Sequence, residues 1–298
     1  MSVIAKRVRA LSGWLYVLPA LILVAVFVYY PVVENFRLST FQWNAFSTHP
    51  RYVGLGNYAG LMGDPVFWRA IFNNIAYAIV SVIWQVGFGL VLAAILEETV
   101  RARLRAFLRT VYFIPVTISI TVTGLLFQFL YHPQFGLVNR VLVILGHPQW
   151  THSWLGEEAT AIWAIIGMSQ WQSVGYVMVL LTVAMQKIPR EFYEAAYIDG
   201  TTKVQAFFLI TVPLLREMTT LMMILTISGA FLVFNEVKVM TDGGPNNASQ
   251  VLGTWLYRSA FQNDQMGYAS AIATVIFILT FGAGVAQLWG VRGKQVEF

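Results

Sequence analysis

The chain has 298 residues, 57% of them hydrophobic and 11% charged, with a formal net charge of +5 and no cysteine. A charged share about half that usual in soluble domains points to the membrane and away from an ordinary soluble enzyme or nucleic-acid-binding module. Without cysteine there is neither a disulfide framework nor a thiolate metal site.

Runs free of Asp, Glu, Lys and Arg cover residues 10–33, 70–96, 110–139, 159–186, 218–235 and 265–291. Each reaches the roughly 18 to 20 residues that a helix needs to cross a bilayer. The shorter runs at 141–156 and 243–257 are broken by Gly, Pro, His or Asn. The expected fold is all-α, a polytopic membrane protein with six transmembrane helices. An even number of spans leaves both termini on one side. That side collects Lys6, Arg7, Arg9, Arg101, Arg103, Arg105, Arg109, Lys187, Arg190, Lys203, Arg216, Arg292 and Lys294, against Arg37, Arg51, Arg69, Arg140, Lys238 and Arg258 on the other. The excess of basic residues places the termini in the cytoplasm. The layout is then a cytoplasmic segment at 1–9, a membrane domain at 10–291 with an inward loop at 187–213 and an outward loop at 236–264, and a cytoplasmic tail at 292–298. The first run follows a basic head, but it is long for a signal core. It ends in Tyr29, Tyr30 and Pro31 with no small-residue cleavage site, so it reads as a retained helix.

Residues 34–69 form an outward segment with turn signals at His49-Pro50, around Gly54 and Gly56, and at Asp64-Pro65. Arg101, Arg103, Arg105 and Arg109 make an inward basic loop that, abutting two spans, suits topology and anionic lipid rather than nucleic acid. His132, His147 and His152 share an outward loop but lack ligand spacing and a carboxylate partner at that spacing, so no metal site is expected. The fourth run carries Gln170, Gln172, Ser173 and Tyr176 among Trp163 and Trp171. Gln172 and Tyr176 are one turn apart and share a face that Ser173 borders. Such groups serve either as contacts between helices or as the wall of a polar cavity, because lipid offers them no hydrogen bond. Amides and hydroxyls beside flat aromatic rings also suit a neutral sugar.

Residues 189–213 are polar where their surroundings are oily. Pro189 suits the first turn of a helix, Asp199-Gly200 ends it, and Thr202 with Gln205 opens another through a capping box. Phe192, Tyr193 and Tyr197 give the first of these helices an aromatic surface fit either for a partner or for the membrane surface. The fifth run ends at Asn235 and Glu236, followed by a turn at Gly243, Gly244 and Pro245. The sixth run has small residues that allow close helix contact and no chemistry.

Glu194, Ala195, Ala196, Asp199 and Gly200, followed by Phe207, Ile210 and Pro213, resemble the EAA loop of the membrane subunits of bacterial ABC importers. The stretches at 52–58, 67–74 and 239–249 resemble those of its sugar-type branch. The family usually has Ala where this chain has Thr201. The resemblance implies that Glu194, Ala195, Ala196, Tyr197, Asp199, Gly200 and Pro213 form a coupling helix that docks on a cytoplasmic ATPase. It also implies a substrate cavity lined by Gln170, Gln172, Ser173, Tyr176 and Asn235, and an outward loop with Gly243, Gly244, Pro245 and Asn246 that reaches the binding protein. The implied partners are a second, homologous permease chain, two ABC ATPases, an extracytoplasmic solute-binding protein, a sugar and membrane lipid, all in a bacterial cytoplasmic (inner) membrane.

Leu288 and Gln295 stand where a phosphate-binding loop would need Gly and Ser or Thr, so ATP and Mg are left to the partner ATPase and none is bound by this chain. There is no serine elbow, HExxH or paired carboxylate within a span, hence no catalytic residue. Spans without charge favour a neutral solute. A sugar acid or polyol permease, and a receptor or scaffold that transports nothing, stay open.

Overall fold

The structure, a computed structural model, describes residue 14 and residues 16–46 and 49–291; the expected terminal segments at 1–9 and 292–298 lie outside the described residues. In chain order the helices are α1 (Tyr16–Leu38), α2 (Gly56–Met62), α3 (Pro65–Glu98), α4 (Ala102–Thr117), α5 (Ile120–Leu130), α6 (Leu137–Ile144) and α7 (Ala161–Met185). They continue with α8 (Arg190–Ile198), α9 (Lys203–Leu214), α10 (Arg216–Phe231), α11 (Asn235–Met240), α12 (Leu252–Tyr257) and α13 (Met266–Val291). Two short strands, β1 (Phe41–Gln42) and β2 (Arg51–Tyr52), pair antiparallel with Phe41 opposite Tyr52.

Helices α1, α3, α7 and α13 are each long and apolar enough to cross a membrane. The third and fifth expected spans are instead bent pairs, α4 with α5 at 98° and α9 with α10 at 72°. Both breaks follow a proline. Pro115 near the end of α4 and Pro213 in α9 lack the N–H that would continue the ladder, and the proline ring crowds the carbonyl one turn back. The helices also outrun the charge-free stretches. Helix α1 continues past its charge-free run to take in Glu34 and Arg37, which pair across one turn at 2.9 and 3.0 Å.

The chain forms two compact units. The first, residues 1–63 and 256–275, holds α1, the strand pair, α2 and the start of α13. Asn35 fastens α1 to α13, its amide donating to Ser270 O (3.3 Å) and Thr274 Oγ1 (3.2 Å). Asn57 donates to the backbone at Ser39 (2.7 Å) and Phe41 (3.0 Å). No residue of α1 is buried.

The second unit, residues 64–255 and 276–298, is built around α7. Its sequence is apolar all round rather than along a stripe, the pattern of a helix enclosed on every side. Accordingly 67% of its apolar window is buried, against 44% for α3. It packs against α3, α4, α5, α10 and α11. Gly175 allows α4 its close approach, since a Cβ there would lie 1.8 Å from the Tyr112 carbonyl oxygen. At one end of α7, Glu97 gathers Arg105 (2.6 Å), Arg109 and the Gln186 amide (3.3 Å), which ties α3, α4 and α7 together. Two of the four arginines expected to meet lipid are therefore held by a carboxylate of the chain itself.

Asn74 of α3 is fully buried. It donates to Ala230 O (2.6 Å) and accepts from Leu252 N (2.8 Å), joining α3 to α10 and to the first turn of α12. Replacing it with Leu leaves both backbone groups unsatisfied. Asn74→Leu is expected to cost on the order of 3 kcal/mol, seen as a lower melting midpoint of the detergent-solubilised protein; an unchanged midpoint would refute the role.

Candidate functional site

A cavity of about 220 Å³ opens between α3, α7 and α10. Helix α3 contributes Tyr77, Ser81 and Gln85; α7 contributes Ser169, Ser173, Tyr176 and Val177; the α10 side is mostly apolar, and Glu236 of α11 completes the wall. In α3 the turns at Val82–Phe88 widen to π-helical geometry beside Ser81 and around Gln85, a distortion frequent at functional sites. The Tyr77 hydroxyl is buried next to Ser169 without a well-formed hydrogen bond. Glu236 lies beyond the apolar stretch of α10, and burial raises its pKa.

The residues expected to line a cavity divide. Ser173 and Tyr176 do so. Gln170 stands behind the wall with its amide already engaged: it accepts from Gln85 Nε2 (2.9 Å) and donates to Ser81 Oγ (3.2 Å) and Ile166 O (3.0 Å). Gln172 points away and donates to Ile118 O (2.8 Å), the carbonyl left bare by the break between α4 and α5. Asn235 is exposed and is not part of the wall. Of the five residues expected at a cavity, Ser173 and Tyr176 line this one, Gln170 and Gln172 bond to protein groups, and Asn235 lies outside its wall, where Glu236 stands. Sequence reading passed over Tyr77, Ser81 and Gln85, although with Asn74 they form a polar stripe at steps of three and four along an otherwise apolar run.

The loop after α7 folds as its sequence predicts, with one shift: Pro189 caps α8 rather than opening it. Gly200 adopts φ +84°, and the end of α8 closes through Gly200 N–H to Tyr197 O (3.1 Å) and Thr201 N–H to Ala196 O (3.0 Å). The Thr201 hydroxyl adds a third bond, to Ala196 O at 2.7 Å. Thr202 and Gln205 form the reciprocal capping box of α9. No residue of α8 is buried: Glu194, Ala195, Tyr197, Asp199 and Gly200 are exposed, Ala196 is half-buried, and Ile198 is 86% exposed. Pro213 is exposed beside the bend into α10. Tyr193 packs on the apolar core beneath and shares a 2.9 Å hydrogen bond with Thr211. Burial raises its pKa, so the phenol keeps its proton at neutral pH.

On the other side of the unit, the loop after α11 is tightly held. Gln128 donates to Val239 O (2.8 Å) and Met240 O (3.1 Å), and Asn73 to Ala248 O (2.8 Å) and Gln250 O (2.7 Å). Gly243 is buried at φ +84° against Gln250, where it shapes the loop. Gly244 and Pro245 are half-buried, whereas Asn246 is exposed and donates to Glu158 Oε1 (2.7 Å). The three histidines are engaged separately: His132 stacks on Phe135, His147 on Trp150, and His152 meets Glu157 Oε2 at 2.9 Å. The Ser153 N–H, then the His152 ring, lower the Glu157 pKa. Among the described residues, no three His, Cys, Asp or Glu side chains gather as a metal site.

A bundle of membrane-length helices around a polar cavity, with a self-closed knob joining two of its walls, defines a membrane transport subunit. Residues 85–289 match the family described as binding-protein-dependent transport system inner membrane component, and the chain belongs to that family. It is 50% identical to a probable ABC transporter permease, YurN, of Bacillus subtilis over 92% of this chain and 94% of that protein. It is 31% identical to the trehalose/maltose transport system permease MalF of Thermococcus litoralis over 95% and 94%. Among solved structures, a chain of a bacterial alginate ABC transporter in complex with its alginate pentasaccharide-bound periplasmic protein matches with a TM-score of 0.82 at 21% identity, covering 96% of this chain and 95% of that one. At that identity the likeness is one of fold.

A Cβ at Gly200 would meet nothing within 4 Å, so a substitution there is penalised by backbone conformation alone. Gly200→Ala is expected to loosen the closing turn by about 1–2 kcal/mol, read as faster hydrogen exchange at the Gly200 and Thr201 amides, with Gly200→Asn milder. Equal exchange in all three proteins would contradict this.

Proposed function

We propose that the chain is one permease half of an ATP-driven importer for a sugar or oligosaccharide. It works with a second, similar permease chain, two ATPase subunits that bind ATP and Mg, and an extracytoplasmic binding protein that delivers the solute. It lies in a bacterial inner membrane with both termini in the cytoplasm. A relative named for trehalose and maltose supports the solute class, and the polar wall with the Tyr77 and Tyr176 rings is chemically suited to it.

One observation carries the mechanism: the knob at residues 194–200 is the link between α7 and α9–α10, and both α7 and α10 wall the cavity. From Tyr176 to the end of α7 at Met185 is about 14 Å of unbroken helix at 1.5 Å per residue. A displacement of α8 is passed along this rod to Ser173 and Tyr176. The Tyr193 bond to Thr211 makes α9 follow. When the ATPases close and draw the two coupling helices of the paired permeases together, the cavity walls shift against each other and its access changes side. ATP and the loaded binding protein each bias that equilibrium by a few kcal/mol.

Two substitutions test this in proteoliposomes holding the complete transporter. Gly200→Val strains the knob and is expected to cut uptake at least tenfold while basal ATP hydrolysis persists; full uptake would refute the coupling role. Ser173→Trp fills the cavity and is expected to abolish uptake with assembly intact; unimpaired uptake would move the pathway elsewhere. A wild-type complex whose ATPase is never stimulated by the loaded binding protein would favour a scaffold.

A further inference from the structure

The cavity holds one formal charge. Its described lining includes hydroxyls from three serines, two tyrosines and a threonine, an amide from Gln85, and the carboxylate of Glu236, but no Lys, Arg or His. Lys238, two residues further on, donates to Asp242 Oδ1 at 2.6 Å. The sequence left the solute's charge open, with Glu236 and Lys238 both near the outer end of the fifth span. In the folded chain they separate: Glu236 lines the cavity and the Lys238 ammonium is held by an acid of the outward loop.

Resting on the cavity reading above, we propose that Glu236 is the charge-selecting residue of the cavity, admitting neutral and cationic hydroxylated solutes and rejecting acidic sugars. A carboxylate in a confined space of reduced dielectric repels a second carboxylate strongly, while it accepts hydrogen bonds from hydroxyl or ammonium groups. The serine and tyrosine hydroxyls around it rotate to donate or accept, so they serve a polyhydroxylated solute and supply no charge to offset an anion.

Because the chain has no cysteine, one introduced thiol reports on the cavity against a silent background within this chain. Ser173→Cys is placed in the complete transporter in proteoliposomes at pH 8, chosen alkaline because burial raises the Glu236 pKa. It is then labelled with methanethiosulfonates bearing a trimethylammonium, a sulfonate or only a methyl group, and the rates are read by mass spectrometry of this chain. Corrected for a free thiol in solution, the cationic reagent is expected to outpace the anionic one, and adding Glu236→Gln should reduce that ratio on the order of fivefold. Glu236→Asp should keep it, and the methyl reagent should react equally in all three. A ratio that survives Glu236→Gln overturns the proposal, as does a changed rate for the neutral reagent, which would make Glu236 a shaping residue. If not even the neutral reagent reaches Cys at 173, the cavity reading itself fails, and with it this inference.

Discussion

Inside a bilayer a peptide group has no water to turn to, and this constraint governs how the second unit is assembled. At several points where its backbone leaves the helical ladder, a side-chain amide comes to meet it. Gln172 covers Ile118 at the break after Pro115, Asn74 bridges Ala230 and Leu252, and Gln128 and Asn73 take up carbonyls of the loop that follows α11. Each of these amides joins two elements distant in sequence, so the groups that satisfy the irregular backbone also set how the helices pack.

The same economy separates two kinds of polar residue that look alike in the sequence. Gln170 and Gln172 bond to the protein itself: one braces Ser81 and Gln85 from behind, the other caps a carbonyl with its amide nitrogen. The groups left facing the cavity are the ones those braces hold in place, together with Ser173, Tyr176 and Glu236. A cavity wall of this kind has two layers, and moving α7 carries both.

Much of this was legible beforehand. Charge-free runs located the helices, and Asp199-Gly200 with Thr202 and Gln205 gave the knob its turn and capping box, because local backbone chemistry alone decides those features. The bends at Pro115 and Pro213 were less visible, since a proline in an apolar run can also be accommodated by a mild kink. The direction of Gln172 could not be read at all. Its i,i+4 relation to Tyr176 suggests one shared side of α7, yet the phenol lines the cavity while the amide turns to the break where α4 ends. Tyr77, Ser81 and Gln85 did leave a periodic trace in the second run, hidden by the stronger aromatic signal of the fourth.

The end of α8 is closed entirely from within. Gly200, Thr201 and the Thr201 hydroxyl return to carbonyls of the same helix, and Tyr193 anchors it to Thr211 without help from any other chain. A segment so completed holds its form whether a partner is seated on it or not. In the proposed coupling role, attachment and release would carry no folding penalty, and a motor gripping this element would meet a stiff handle from the first instant of contact rather than one it must first organise.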